Sequence, residues 1–133
     1  MIYDRTQLDV DEAKRIKLDK YQKGFRLTDE EEEILERGFF TLTTLNRIEN
    51  EEKRLFNVLK EKGYLSGEIT SVEWTDHEIF GKSDFERILD NLGTLLGAVS
   101  NLGYSAEMPI ISYHFENINA IEKILNDIAK MID

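Results

Sequence analysis

Apolar residues recur at alternating steps of four and three positions in the last third of the chain. In a first run they are Ile88, Leu92, Leu95, Val99 and Leu102, and in a second run they are Ile118, Ile121, Leu125, Ile128 and Ile132. This spacing places each run on one face of a helix. Further apolar residues beside both runs widen the faces, which is typical of globular bundles. The pattern predicts two helices that pack on each other within one monomer; the alternative is that at least one face completes a bundle with another subunit.

Start and stop signals predict two helices in the first part of the chain. A first helix is expected from about residue 7 to residue 23, ended by Gly24. Thr28 followed by Glu31 fits a capping box, in which a hydroxyl and a carboxylate bond to the exposed backbone amides of a helix start. Gly38 is expected to break or kink the chain before the next helix.

A third helix is expected to start near residues 41–44 and to continue to Lys62. Gly63 follows as a suitable left-handed C-cap. The apolar residues of this helix are Leu45, Ile48, Leu55 and Leu59. Glu52 lies among them in the sequence and is expected to interrupt their face.

The fourth helix is expected to open at a second capping box, formed by Ser83 and Glu86, and to stop at Gly103. Gly93 and Gly97 lie four positions apart within it. Small residues at this spacing let two helix backbones approach closely, so a tight helix–helix crossing is expected there.

These elements predict an all-α fold, a four- to five-helix bundle in a single domain spanning residues 1–133. One long ordered connection is expected at about residues 64–82, with a short extended piece at the β-prone residues Ile69, Thr70 and Val72. The hydrophobic fraction of 41% is sufficient for a core. No apolar run approaches the roughly 18 residues that a transmembrane helix needs.

The charge balance bears on possible partners. The chain has 27 acidic and 17 basic residues, and its formal net charge is -10. A nucleic-acid-binding surface needs a cluster of basic residues, and an acidic surface is repelled by anionic lipids. Neither nucleic acid nor a membrane is therefore expected as a partner, and another protein surface is the default.

Catalytic chemistry has few candidates in this sequence. The chain has no cysteine and only two histidines, His77 and His114. The triplet Asp76-His77-Glu78 has acid–base or metal-binding side chains, but neighbouring side chains on a loop usually diverge, so a solvated turn is expected. His114 is expected to pack or cap at the entry to the last helix. Phosphate-binding loops, nucleophile motifs and zinc-binding helix motifs are absent. We expect no enzymatic activity, no cofactor and no metal.

Several short motifs follow one another along nearly the whole chain. They are Tyr3-Asp4-Arg5-Thr6, Leu27-Thr28-Asp29-Glu30-Glu31, Gly38, the stretch from Thr43 to Glu49, Glu73-Trp74, and Asn119-Ala120-Ile121-Glu122. Their order and spacing resemble those of a small helical module found in tail and baseplate-associated proteins of phages and prophages of Firmicutes.

The resemblance implies a non-enzymatic structural component of a phage tail, or of a contractile tail-like particle such as an R-type bacteriocin. The implied role is that of a baseplate-associated adaptor between the tail end and the fibres. Other tail, baseplate or fibre proteins would be its partners, with multiple copies in a symmetric assembly. Such a protein is made in the bacterial cytoplasm and assembled into the particle. The alternative is a cytoplasmic tail-assembly chaperone or a small regulator encoded with the tail genes.

Two groups of residues are predicted to matter for assembly and stability. The candidates for protein–protein contacts are Tyr3, Asp4, Arg5, Thr6 and Trp74. The N-terminal motif either pins the N-terminus onto its own bundle or docks on a neighbour, and Trp74 either caps the core or anchors an interface. A structural cluster of polar side chains is expected at Asn46, Arg47 and Glu49, because a guanidinium can bridge carboxylates.

Overall fold

In a computed structural model of the protein, the described residues form five α-helices. The structure describes residues 1–21, 23–38, 41–75 and 80–133, without the side chains of Tyr21 and Glu36, and contains no strand within these ranges. The helices are α1 (Gln7–Ile16), α2 (Asp29–Gly38), α3 (Leu42–Glu61), α4 (Lys82–Ser100) and α5 (Phe115–Ile132). The prediction of an all-α fold with four to five helices is confirmed.

Most of the predicted helix ends are confirmed. The Thr28 hydroxyl accepts a hydrogen bond from the backbone N of Glu31, and the Glu31 carboxylate accepts one from the backbone N of Thr28. Thr41 caps α3 through the backbone N of Thr44. Gly63 follows α3 with a φ of 85°, the left-handed conformation that a side chain would disfavour.

Two boundaries differ from the prediction. Helix α1 ends at Ile16 and continues as a π-helical turn over Lys17–Tyr21, so the regular helix is shorter than expected. Helix α4 begins one residue before Ser83, and the capping box predicted at Ser83 is wrong. The Asp84 carboxylate accepts from the backbone N of Gly81 at 3.0 Å, so the cap lies two residues earlier than predicted.

Helices α3, α4 and α5 share one hydrophobic core. All five residues of the predicted apolar run in α5 are buried, as are four of the five in the run assigned to α4. The exception is Leu102, which lies beyond the end of α4 and is 38% exposed. The periodicity therefore identified the core-facing sides of both helices.

Helices α1 and α2 form a hairpin with a very close crossing at Gly38. A Cβ added there would lie 2.2 Å from the Cβ of Ala13 and 2.6 Å from the carbonyl oxygen of Asp9. The tight crossing predicted at Gly93 and Gly97 is wrong, because a Cβ at Gly97 would meet nothing within 4 Å. The glycine that permits close packing is therefore the one at the end of α2.

Candidate functional site

The first feature of interest is a buried ion-pair cluster, termed here the N-terminal clamp, built from Ile2, Arg5, Arg47, Asn119 and Glu122. The side chain of Glu122 on α5 is fully buried. It accepts hydrogen bonds from Arg5 Nη1 at 2.7 Å, from Arg47 Nε at 2.6 Å and from the backbone N of Ile2 at 3.2 Å. Two guanidinium groups and a backbone amide thus offset the cost of burying this carboxylate.

Asn119 completes the clamp by pairing with the backbone of Arg5. Its Oδ1 accepts from the Arg5 backbone N at 3.0 Å, and its Nδ2 donates to the Arg5 carbonyl at 2.9 Å. This pairing holds an irregular segment against a helix and satisfies both of its polar backbone groups. The N-terminal motif therefore pins the N-terminus onto its own bundle, the first of the two alternatives raised by the sequence.

A second buried cluster surrounds Glu49 on α3. The indole Nε1 of Trp74 donates to Glu49 Oε2. Arg87 on α4 donates from Nε and Nη2 to the same carboxylate, at 2.9 and 3.1 Å. The backbone N of Val72 donates to it at 3.3 Å. Bonding to Glu49 raises the pKa of Arg87 above its usual range. The cluster therefore fastens the connection before α4 onto α3 and α4.

Asn46 fixes the same connection one turn earlier on α3. Its Oδ1 accepts from the backbone N of Trp74 at 2.6 Å, and its Nδ2 donates to the Trp74 carbonyl at 3.1 Å. The predicted polar residues thus serve two separate clusters, since Arg47 bonds to Glu122 while Asn46 and Glu49 bond to the connection.

Glu52 lies one helical turn after Glu49 and is also fully buried. Neither of its carboxylate oxygens has a hydrogen-bond partner in the part of the chain that the structure describes. Burial and the nearby charge of Glu49 raise its pKa well above the usual 4.5, although Arg87 and Asn91 act in the opposite direction. Sequence reasoning treated this residue only as an interruption of an apolar face.

The five interface candidates divide into interior and surface residues. Arg5 and Trp74 are 5% exposed and bond within the molecule, as described above. Tyr3 is 40% exposed, and its ring lies 5.7 Å from Lys123 Nζ. Asp4 pairs with Arg37 at 3.0 Å on the surface, and Thr6 caps α1. A contact role for Tyr3, Asp4 and Thr6 stays a prediction.

Sequence reasoning missed an exposed apolar stretch, termed here the 108–113 segment, between α4 and α5. Its exposed residues are Met108, Ile110, Ile111 and Tyr113. Asn117 on α5 braces it: its Oδ1 accepts from the Ile110 backbone N at 3.1 Å, and its Nδ2 donates to the Ile110 and Ser112 carbonyls at 2.8 and 2.9 Å. The available signal was a pair of adjacent isoleucines outside any helical pattern.

His114 has a structural role at the start of α5. His114 is the N-cap of α5, where its Nδ1 accepts from the Glu116 backbone N at 3.3 Å and its ring stacks on Phe115. This confirms the capping prediction. The triplet Asp76-His77-Glu78 lies outside the described residues. Within the described ranges, no group of three or more acidic or histidine side chains is arranged to hold a metal ion.

Comparison with known protein families, with curated proteins and with solved structures finds no match for this chain. Among the described helices, none combines the length and apolar character needed to cross a bilayer.

Proposed function

We propose that this chain is a non-enzymatic structural component of a phage tail or of a contractile tail-like particle, acting as a baseplate-associated adaptor. The motif order described above supports this proposal, and so does the chemistry of the motifs. The N-terminal motif, the Asn46 to Glu49 stretch, Trp74 and Glu122 all brace one fold. A module that must keep its shape within a large assembly benefits from such bracing.

The observation that carries the binding role is the 108–113 segment. Its apolar side chains face solvent, while the Asn117 amide holds its backbone in place. An ordered exposed apolar patch is typical of a protein–protein contact, because burying it on a partner is favourable and costs little further ordering. Glu107 and Glu116 are exposed beside it, so the complementary partner surface has an apolar centre with basic residues around it.

The proposal is tested by mass spectrometry of gradient-banded particles from the producing strain. We expect the protein in stoichiometric amounts, in multiples that match the symmetry of the tail. Ile110→Asp should strongly reduce incorporation, whereas Phe25→Asp should leave it unchanged. Phe25 is a matched control because the two residues are similarly exposed, at 61% and 69%.

The 108–113 segment would equally suit a tail-assembly chaperone that shields a partner before assembly. A chaperone would be absent from mature particles and would be recovered with a free tail component from the lysate. That result would overturn the structural role and favour the chaperone.

A further inference from the structure

Two buried carboxylates lie one helical turn apart on α3, in different surroundings. Glu49 accepts hydrogen bonds from the guanidinium of Arg87 and from the indole of Trp74, whereas neither oxygen of Glu52 has a partner among the described residues. An ionised carboxylate that is buried without donors is costly, so Glu52 is neutral in this arrangement. Its ionisation therefore requires that donors move towards it.

The groups that act on Glu52 come from its own helix and from α4. Burial and the charge of Glu49 on α3 raise the pKa of Glu52, while the charge of Arg87 and the amide of Asn91 on α4 lower it. Arg87 and Asn91 are therefore the side chains that would stabilise an ionised Glu52.

Asn91 is already bonded to the connection before α4. Its Nδ2 donates to the Thr70 carbonyl at 2.8 Å. Thr70 is exposed, so its carbonyl can accept from water when this donor leaves. Turning the Asn91 amide towards Glu52 therefore frees the backbone at Thr70.

Arg87 holds the same connection through Glu49. Its Nε donates to Glu49 at 2.9 Å, and Glu49 accepts in turn from the backbone N of Val72 and from the Trp74 indole. If Arg87 turns towards Glu52, Glu49 stays buried with two neutral donors and without its cation. Hydration of Glu49 relieves that state, and it requires Val72 and the Trp74 ring to separate from the carboxylate.

We propose that Glu52 controls the attachment of residues 70–74, termed here the 70–74 segment, in response to pH. While its carboxyl group is neutral, the two α4 donors hold the segment on α3 and α4. Ionisation at higher pH draws both donors to Glu52 and releases the segment. Asn46 still pairs with the Trp74 backbone, so the Trp74 ring moves while the chain stays attached at that residue.

The test is an NMR titration of the isotope-labelled protein from about pH 5 to about pH 9, a range in which buried glutamates ionise. The chain has one tryptophan, so its indole N–H gives one signal. We expect this signal and the Val72 amide signal to change with pH, with the ratio of released to docked protein rising about tenfold per pH unit through the transition. Tryptophan fluorescence should shift to longer wavelength, because the ring is only 5% exposed while docked. The Leu125 amide signal in α5 should keep its native position, which separates local release from unfolding.

Two glutamine variants identify the group that titrates. Glu52→Gln cannot ionise, so its Trp74 signal should stay at the position found in the wild type at low pH. Glu86→Gln is the matched control: this α4 side chain is 51% exposed and precedes Arg87, and the variant should titrate as the wild type does. The proposal is overturned if the Trp74 signal of the wild type does not change with pH, if it changes equally in Glu52→Gln, or if the native Leu125 signal is lost along with it.

Discussion

Glu122 and Glu49 are fully buried carboxylates, and both face guanidinium groups at hydrogen-bond distance. Removing one partner of a buried ion pair is more damaging than removing an exposed pair, because the remaining charge has lost its compensation without regaining water. The stability of this fold should therefore depend on a few specific side chains rather than on the number of its ion pairs.

Arg5→Met tests this dependence. It keeps the approximate volume of the side chain but leaves Glu122 with fewer donors, so we expect the free energy of unfolding to fall by about 3 kcal/mol. Chemical denaturation monitored by circular dichroism measures the change. Arg54→Met is the matched control, since Arg54 pairs with Asp133 on the surface, where 45% of each side chain is exposed. Equal losses in the two variants would contradict the importance of the clamp.

Glu52 predicts a pH dependence of stability. Its pKa is raised in the folded state, so folded protein retains the proton above pH 4.5 while unfolded protein releases it. Stability contributed by this group is therefore full below pH 4.5 and is lost as pH rises towards the folded-state pKa, at about 1.4 kcal/mol per unit of pKa shift.

Glu52→Gln removes this titration and keeps the shape of the side chain. We expect the variant to become more stable relative to the wild type as the pH is raised from 4.5 to mildly alkaline values. Chemical denaturation of both proteins across this range gives the difference between their free energies of unfolding. The other carboxylates are the same in both proteins, so their contributions cancel in this difference. A difference that does not change with pH would show that the carboxylate at position 52 is not held in its protonated form.

At the scale of the elements, the α1–α2 hairpin depends on the missing side chain at Gly38. Gly38→Ala would place a methyl group against the Cβ of Ala13 and the backbone of Asp9. We expect a loss of about 1–3 kcal/mol and faster hydrogen exchange in α1 and α2. Gly97→Ala on α4 is the control: its methyl group meets open space, and it should stabilise the helix by about 0.5–1 kcal/mol. If hydrogen exchange in α1 and α2 is unchanged in Gly38→Ala, the two helices do not pack closely at this residue.

Sequence reasoning predicted the features that depend on residues close together in the chain. The apolar periodicity of α5 and the capping box at Thr28 depend on neighbouring residues, so they could be identified from one chain. The crossing glycine was misassigned, because close approach depends on where another helix lies. Glu52 was misjudged for a similar reason, since its burial follows from the elements that cover α3.

In the candidate sites, too, residues with a local signal were predicted, whereas contacts between distant residues were not. Sequence reasoning selected Arg5, Arg47 and Glu49 as important polar residues, but it did not identify Glu122 as the shared partner of the two arginines. That pairing joins residues 117 and 75 positions apart. The 108–113 segment was missed because an apolar residue outside a periodic pattern gives no indication of its exposure.

At the scale of the whole molecule, an acidic surface surrounds a braced interior. A net charge of -10 opposes association between copies of the free chain. Exposed apolar residues such as Ile110 can therefore remain accessible until a complementary basic surface is present. This combination supports the proposed role of the chain as a subunit that assembles with other proteins.

The N-terminal clamp also has a consequence for the order of events during synthesis. Ile2 and Arg5 leave the ribosome well before their partner Glu122, which lies 120 and 117 positions later in the chain. The clamp cannot form until α5 has emerged, and contacts between such distant residues form slowly. The segment that contains Ile2 and Arg5 therefore lacks these partners while α3 and α4 are made, and it docks on α5 only after α5 has been synthesised.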